Sequence, residues 1–412
     1  MRILYLHQHF TTPAMPGGTR SYEMARRFVV SGHEVHMITA DRQADGGGWR
    51  QTNEAGIHVH WCANRYSNQM NFRERMGAFF RFAGRAAGRA ASLPGDVIFA
   101  SSTPLTIALP AVWAAKRKSI PMVFEVRDLW PEMPIAVGAL RSRPAIVAAR
   151  WLERFAYHHS KHVVALSPGM KEGVVATGYP EDRVTVIPNS CDLRMFRVGP
   201  EVGQAFRQRY AWLQHRPLVV YAGTLNLLND VEFLARLAAI ILPQNPEVRF
   251  LVVGEGSRER YFRELAETLG VLDRNFFMMP MLPKADMPAI LSAADVATSL
   301  FVDIRQNWAN SANKVFDALA AGRPVAINHK GWLADLIDET GCGLVLDPHD
   351  LTSSAGRLLA ALQDRAWCDA ARAAAARVAQ ERFDRDKLAL QLESVLANAA
   401  GAAAMPAGRK AA

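Results

Sequence analysis

The chain has 412 residues, enough for two or three domains with buried cores, and its 50% hydrophobic and 21% charged residues exclude a disordered protein. No apolar stretch reaches the roughly 20 residues that a membrane-spanning helix needs, and the first apolar run is too short for a signal peptide. The four cysteines are scattered and indicate neither a zinc site nor a disulfide framework, so we expect a reduced, cytoplasmic protein.

The formal net charge of +9 is unevenly distributed along the chain. Residues 1–200 carry a net charge of +10, whereas residues 201–412 carry −1. A basic half predicts an anionic partner, which could be nucleic acid, a phosphorylated substrate or an acidic membrane surface. No nucleic-acid motif or aromatic–basic interleaving accompanies the charge, which argues against nucleic acid. Chance combined with a high arginine content also fits.

Short apolar runs alternate with helical patterns through most of the chain. The predicted strands are Ile3–His7, Glu34–Ala40, Ile57–Trp61, Val97–Ala100, Met122–Val126, Val163–Leu166, Val184–Ile187, Leu218–Ala222, Val248–Val253, Phe276–Met279, Val296–Leu300, Val325–Asn328 and Leu344–Leu346. This alternation predicts α/β domains with parallel sheets covered on both faces. The pattern pauses at a polar, arginine-rich segment around residues 199–216, where we place a linker between domains 1–198 and 217–384. A helix over 385–400 can cross back to the first domain, and residues 401–412 are expected to fray.

The first candidate segment follows the first strand. Gly17 and Gly18 would let a ligand approach the backbone, and Thr19 and Arg20 begin a helix whose N-terminus and cation favour an anion. The spacing is not the G-x-G-x-x-G of a dinucleotide site. An ordinary strand–helix turn fits the same residues.

Residues 71–92 predict a basic amphipathic helix with five arginines and one glutamate. Its apolar arc consists of Phe72, Met76, Phe79, Phe80 and Ala83, and Arg81, Arg85 and Arg89 lie opposite. Such a helix can lie on an anionic membrane leaflet. The alternative is an ordinary helix that packs on the sheet and exposes its arginines to solvent.

Charged and aromatic residues follow the strand Met122–Val126. Asp128 could act as a base or orient Arg127, and both would point from the carboxyl end of the strand, where ligands bind in such sheets. Trp130 could stack on a sugar or simply cover the sheet, and Glu132 lies two residues further on.

In the second half, glycines again follow strands, at Gly223 before Thr224 and at Gly254, although bare turns would look the same. A further segment begins at Ser311 and Asn313 and continues as a helix.

Lys314 and Asp317 share one face of that helix because they are three residues apart. Lys314 could neutralise a phosphate, and Asp317 could accept hydrogen bonds from a ribose diol. A surface ion pair is the alternative interpretation.

The order of these segments resembles the retaining glycosyltransferases of family four, which have the GT-B fold. The resemblance covers nearly the whole chain, through the motifs MRILYLHQHF, GGTRSYEMARR, GHEVHMIT, SPGMKEGVVATGYPEDRVTVIPNSCDLRMF, VVYAGTL, FLVVGEG, LPKADMPAILSAADVATS and KVFDALAAGRPVAIN. The variants RDLWPE and NSANKVFDALAAG resemble a branch of polysaccharide-assembly enzymes.

The resemblance implies two Rossmann-like, doubly wound parallel-sheet domains that face each other across a cleft, with the acceptor side in 1–198 and the donor in 217–384. It implies transfer of a sugar from a nucleoside diphosphate sugar, used as co-substrate without a cofactor, to a polyprenyl-diphosphate-linked glycan. This would occur in surface polysaccharide biosynthesis, on the inner face of the plasma membrane. No D-x-D motif stands out, so we expect no metal requirement.

The resemblance also implies roles for individual residues. Donor-binding residues would be Gly17, Gly18, Gly223, Thr224, Gly254, Met281, Leu282, Ser311, Asn313, Lys314 and Asp317. Gly17 and Gly18 would lie by the donor diphosphate and the acceptor, the loop Met281–Pro283 would receive the base, and Asp317 would hold the ribose hydroxyls. Arg127, Asp128 and Lys314 would be catalytic, and Arg20, Trp130 and Glu132 would lie on the acceptor side.

Some positions depart from the family pattern. Ala309 stands where the family has the first glutamate of its pair, and Thr224 and Asn229 stand where it has an arginine and a lysine. Arg127 replaces a histidine. The phosphate charge would then be met by Arg20, Arg127, Lys314 and Arg305. A nucleotide-sugar epimerase on the same fold and a weakly active binding subunit of a transferase complex therefore remain alternatives.

Overall fold

The computed structural model describes residues 1–15, 17–67 and 70–401, apart from the side chain of Phe72. Of the predicted frayed tail 401–412, all but Gly401 lies outside the described residues. The chain forms two compact units. Of the described residues, the first contains those of Met1–Thr12, Thr19–Pro188 and 386–401, and the second contains those of Pro13–Gly18 and Asn189–Arg385.

The strands and helices of both units are numbered along the chain. The strands are β1 Arg2–Leu6, β2 Glu34–Asp41, β3 Trp49–Glu54, β4 Ile57–Ala63, β5 Val97–Ser101, β6 Met122–Val126, β7 His162–Ala165, β8 Val184–Val186, β9 Leu218–Ala222, β10 Arg249–Val253, β11 Phe276–Met279, β12 Val296–Ser299, β13 Val325–Ile327 and β14 Gly343–Val345. The helices are α1 Arg20–Val30, α2 Phe72–Ser92, α3 Ala108–Lys118, α4 Glu132–Ala136, α5 Arg143–His158, α6 Pro168–Ala176, α7 Leu193–Phe196, α8 Pro200–Gln208, α9 Val231–Ile241, α10 Glu259–Thr268, α11 Met287–Ala293, α12 Asn313–Ala320, α13 Trp332–Thr340, α14 Leu351–Gln363, α15 Arg365–Arg382 and α16 Arg385–Ala400.

The sheet of the first unit has the strand order β3-β4-β2-β1-β5-β6-β7-β8 in the described residues. Its central strands are buried along most of their length because helices cover both faces, as the continuous apolar runs predicted. The edge strand β3 pairs antiparallel with β4 and was missed by the sequence reading. Its sequence WRQTNE is polar and half exposed, so no apolar run marks it.

The sheet of the second unit is parallel throughout the described residues, in the order β11-β10-β9-β12-β13-β14. Its core includes Tyr221, Phe250, Phe276 and Leu234, each with at most 1% of its surface exposed. Helix α9 begins where the Asp230 carboxylate accepts a hydrogen bond from the Phe233 amide. The prediction of two doubly wound α/β domains with parallel sheets is confirmed.

The segment 199–216, predicted as a linker, is a folded part of the second unit. Helix α8 starts with Pro200 in its first turn and packs against α11, burying Phe206, and Leu213 is buried after it. Arg207, one of the arginines that made the segment look like a linker, pairs with Asp295 at 2.8 Å. This cation is therefore used inside the fold.

The last helix, α16, packs in the first unit. Leu388, Leu392 and Leu396 follow a spacing of four and are buried, so they form one apolar stripe. Asp386 pairs with Arg27 at 2.6 Å, and Glu393 contacts His33 at 3.0 Å.

The structure corrects the interpretation of residues 71–92 as a membrane-binding helix. Helix α2 begins with a capping box between Asn71 and Glu74 and packs against α3 and the sheet. Its core-facing residues are Ala78, Phe79, Phe82, Ala83, Ala86 and Ala90, all buried. Arg85 donates to the carbonyl of Ala63 at 2.7 Å, and Arg89 contacts His60. The apolar arc is covered by protein, and only Phe80 is exposed among its described large side chains.

Among the described residues, no helix is long and apolar enough to cross a bilayer. All four cysteines are buried thiols.

Candidate functional site

A cavity of about 340 Å³ opens in the second unit at the carboxyl ends of β9, β10 and β12. This is the edge of a parallel sheet at which ligands bind in doubly wound folds. The residues predicted for the donor that line it are Gly17, Gly18, Gly223, Thr224, Gly254, Met281, Leu282, Asn313, Lys314 and Asp317. One side is therefore backbone-rich, and the other is the N-terminal part of α12.

Lys314 supplies the cavity with a cation that no carboxylate neutralises among the described residues. Its ammonium donates to the side-chain oxygen of Asn229 at 2.9 Å and to the Tyr221 hydroxyl at 3.0 Å. It also lies 4.3 Å from the centre of the Tyr221 ring and 5.0 Å from that of Phe301. Burial lowers the pKa of Lys314 to about 7. Such an ammonium is stabilised by an anion that enters the cavity.

Asp317 lies one turn further along α12 and pairs with Lys284. The Lys284 ammonium is also 5.0 Å from the centre of the Phe196 ring. The sequence reading named Asp317 but gave no role to Lys284. The position of Lys284 directly after Leu282 and Pro283, in the loop predicted to receive a base, was the available signal.

Glycines stand at two strand ends beside Lys314, and at Gly254 the space excludes any side chain. A side chain at Gly254 would place its Cβ 1.9 Å from the carbonyl oxygen of Gly223. A Cβ at Gly223 would lie 3.3 Å from Lys314 Nζ. The two glycines therefore keep adjacent loops in contact and leave the space around the ammonium open.

Ser311 is not among the residues that line the cavity. Its hydroxyl and its carbonyl accept hydrogen bonds from the backbone and side-chain amides of Asn189. Ser311 is buried, and these two hydrogen bonds join Asn189 to the segment just before α12. Arg305, suggested as a phosphate ligand, is exposed in a short 3-10 turn and does not line the cavity.

The other predicted site residues lie in the first unit. Arg127 is half-buried at the end of β6. Its Nη1 atom lies 3.1 Å from the Nε2 atom of His7. Asp128 is exposed and accepts a hydrogen bond from the Thr103 hydroxyl at 3.0 Å. Burial and the nearby Arg127 charge lower the pKa of His7.

The structure corrects the assignment of Arg20 to the acceptor or phosphate. Only 3% of Arg20 is exposed, and its guanidinium is bonded to Glu125 and to the carbonyls of Ile187 and Pro188. Glu125 is fully buried, and Ser101 donates to its second oxygen at 2.6 Å. Arg20 thus neutralises a buried carboxylate and ties α1 to the strand end before Asn189.

Trp130 is half-buried, and Glu132 begins α4 and accepts a hydrogen bond from Arg150 at 3.2 Å. Their assignment to an acceptor remains a prediction. Within the described residues, no group of three or more histidine, cysteine, aspartate or glutamate side chains is arranged to hold a metal.

Two family models match consecutive parts of the chain. Residues 17–190 match the glycosyl transferase 4-like domain, and residues 216–364 match the glycosyl transferases group 1 domain. The cavity lies mainly in the second of these parts.

Curated relatives are similar over part of their length. A D-inositol 3-phosphate glycosyltransferase from Nocardia farcinica is 29% identical over 196 residues, which are 46% of this chain and 42% of the relative. The putative colanic acid biosynthesis glycosyl transferase WcaI of Escherichia coli is 22% identical over 72% of this chain and 75% of its own length. The chain spans about half the length of most curated relatives it matches.

Solved structures share the fold. HepE from Anabaena in complex with UDP-glucose superposes with a TM-score of 0.74 and 18% identity, over 97% of this chain and 100% of HepE. WaaG, a glycosyltransferase involved in lipopolysaccharide biosynthesis, gives a TM-score of 0.70 and 18% identity, over 96% and 99% of the two chains. Both matched models describe glycosyl transferase domains, and the chain has the GT-B fold of these solved structures.

Proposed function

We propose that the protein is a retaining glycosyltransferase that takes a sugar from a nucleoside diphosphate sugar bound in the cavity of the second unit. The observation that carries the proposal is the Lys314 ammonium, whose hydrogen-bond partners among the described residues are neutral oxygens and which faces two glycine loops. A diphosphate supplies the missing negative charge, and the glycines let it approach the backbone. HepE, which shares the fold, has been crystallised with UDP-glucose.

The rest of the cavity suits the other parts of such a donor. Asp317 can accept hydrogen bonds from ribose hydroxyls, and its pairing with Lys284 holds the carboxylate in place. Met281 and Leu282 provide an apolar wall for a base. Ala309 and Asn229, which replace charged family residues, leave Lys314 as the main protein cation here.

Catalysis at such a site is mostly positioning and electrostatic stabilisation. As the bond to the sugar breaks, negative charge grows on the departing diphosphate, and Lys314 stabilises it. The diphosphate itself would help to take the proton from the acceptor hydroxyl on the same face, which gives retention. The proposal includes no metal ion.

The test is thermal unfolding with UDP, GDP, ADP and NAD at millimolar concentration, followed by assays of sugar transfer. We expect one nucleoside diphosphate to raise the unfolding midpoint by several degrees, since a ligand at 100 times its Kd stabilises by about 2.7 kcal/mol. Lys314→Met should weaken binding of that nucleotide at least tenfold. Arg305→Met, which removes an exposed cation outside the cavity, should leave it unchanged.

Failure of every diphosphate to shift the midpoint would contradict the donor site. Binding without transfer would favour a binding subunit, and isomerised nucleotide sugar without acceptor would identify an epimerase.

We further propose that the acceptor is a polyprenyl-diphosphate-linked glycan, used in polysaccharide assembly on the inner face of the plasma membrane. The similarity to WcaI and WaaG supports the pathway class. A surface of the first unit supports membrane contact. Helix α5 exposes Val147 to 67% and Trp151 to 59%, beside the exposed Arg143, Arg150 and Arg154.

The neighbouring helix α3 adds to this surface. It packs against α5 and exposes Trp113 to 48%, with Lys116 and Arg117 one turn later. Glu153 of α5 is buried, and Arg150 pairs with Glu132, so Arg143 and Arg154 supply the positive charge of the exposed face. Tryptophan among cations suits the interface of an anionic bilayer.

Co-sedimentation with vesicles tests this surface. We expect binding to phosphatidylglycerol vesicles and little binding to phosphatidylcholine vesicles. The double variant Val147→Ser/Trp151→Ser should reduce binding at least fivefold. The matched control is Phe80→Ser on α2, which removes another exposed aromatic residue and should bind as the wild type does. Equal loss in both variants would contradict a specific role of α5.

A further inference from the structure

Three arginines of the first unit lie around the loops that follow β1, β2 and β6. Arg42 follows β2, Arg127 follows β6, and Arg75 lies in the first turns of α2, and all three are half-buried. His9, three residues after the end of β1 at Leu6, lies among them.

Ring contacts and hydrogen bonds hold this cluster together. The His9 ring lies 5.1 Å from that of Tyr66 and 6.3 Å from that of Phe79. The Tyr66 amide donates to the Arg42 carbonyl at 3.2 Å. Arg75 lies one helical turn before Phe79, so both are on the same face of α2.

Arg127 completes the cluster through His7, 3.1 Å from its Nη1. Burial and the charges of Arg42, Arg127 and Arg75 lower the pKa of His9 to about 3, so His9 is neutral and the arginines are the charged groups.

The three arginines of the cluster make no ion pair with a described residue, and Asp128, which follows Arg127, is bonded to the Thr103 hydroxyl. Across the described ranges, no carboxylate lies within ion-pair distance of Arg42, Arg75 or Arg127. The nearest buried acid to Arg127, Glu125, is already bonded to Arg20 and Ser101. Asp41, next to Arg42, pairs instead with Arg50 at 3.1 Å. Half-buried guanidinium groups without a counter-ion carry a desolvation cost that a bound anion offsets.

Polar atoms of two cluster residues, and of the chain neighbour Gln8, are also left without partners. The Nε of Arg75 and Nδ1 of His9 are buried and make no hydrogen bond in the described structure. Gln8, which precedes His9 in the chain, is 1% exposed, and neither polar atom of its amide makes a hydrogen bond in the described structure. Buried polar groups are normally satisfied, so a polar ligand here would supply partners that the protein itself does not provide.

We propose that Arg42, Arg75 and Arg127, with His9, bind an oxyanion of the acceptor, either a phosphate ester or a sugar carboxylate. Guanidinium groups pair with both oxyanions through two parallel hydrogen bonds. The aromatic rings of Tyr66 and Phe79 beside His9 provide an apolar surface for the sugar that carries the anion. That the ligand is the acceptor rests on the proposed function; that the cluster binds an oxyanion does not.

The experiment measures binding of small oxyanions in the absence of nucleotide. Inorganic phosphate, glucuronate and glucose are titrated calorimetrically into the full-length Lys314→Met protein, so that the donor cavity lacks its cation. We expect phosphate or glucuronate to bind and glucose not to bind. Arg42→Gln and Arg75→Gln should each weaken binding at least tenfold. Arg81→Gln, an exposed arginine on the same helix, should change it less than twofold.

The outcomes separate this site from the donor site. The stronger of phosphate and glucuronate names the oxyanion class. Binding of neither, or equal loss with Arg81→Gln, would overturn the proposal. A nucleotide-induced shift of the unfolding midpoint that persists in Arg75→Gln shows that this variant is folded and that its donor cavity is intact. If no nucleotide shifts the unfolding midpoint of the wild-type protein but the oxyanion still binds, the result counts only against the donor assignment.

Discussion

At the scale of single residues, Lys314 shows how burial prepares a cation for a ligand. Its neighbours Asn229 and Tyr221 offer neutral oxygens, so the empty cavity holds the charged form poorly and the pKa lies at about 7. A bound diphosphate favours the charged form and raises that pKa. Above pH 7, binding must therefore be accompanied by uptake of a proton.

We predict that titration of Lys314 leaves the affinity for the nucleoside diphosphate nearly constant below pH 7. It should fall above pH 7 by up to about tenfold per pH unit, until the pKa of Lys314 in the complex is reached. Calorimetry at pH 8 in two buffers with different ionisation enthalpies measures the proton uptake. Lys314→Met should abolish it, whereas Arg305→Met should keep it. Proton uptake that is unchanged in Lys314→Met would assign the titration to another group.

The same residues show what the sequence can predict of a site. Gly223, Gly254, Lys314 and Asp317 each belong to a short local pattern at a strand end, and the structure brings them to one cavity. Arg20 had an equally good local pattern. Its partner Glu125, however, is 105 positions away, and no local pattern reveals that pairing.

The arginine cluster was missed for the same physical reason. Arg42, Arg75 and His9 belong to three different elements, and only the sheet order brings those elements together. The net positive charge of residues 1–200 was the signal that the sequence offered, but it did not indicate which arginines lie together.

At the scale of elements, periodicity identified the helix at residues 71–92 without saying what covers its apolar face, and it did not single out α5. Both α2 and α5 are amphipathic and basic, yet α2 buries Phe79 and Phe82 in the protein whereas α5 leaves Val147 and Trp151 in solvent. The difference depends on which helices pack alongside, which is a property of the fold. Strands were predicted better, because buried parallel strands are continuous apolar runs. The polar edge strand β3 lacks that signal.

At the scale of the whole molecule, the chain returns to its first unit after completing the second. Helix α16 carries the stripe Leu388, Leu392 and Leu396 into the first unit and adds ion pairs from Asp386 and Glu393. Leu392 is fully buried, whereas Leu390 on the same helix is 55% exposed. These two leucines therefore form a matched pair for measuring how much α16 contributes to the stability of the first unit.

We predict that Leu392→Ala lowers the free energy of unfolding of the first unit by about 2–5 kcal/mol, because it removes buried methyl groups and leaves a cavity. Leu390→Ala should change it by less than about 0.5 kcal/mol. Urea denaturation gives the size of the loss, and amide hydrogen exchange gives its location. Exchange should become faster in β1 and α1 in Leu392→Ala and stay unchanged in α9 of the second unit. Faster exchange in α9 alone would contradict the assignment of α16 to the first unit, since the destabilised core would then be that of the second.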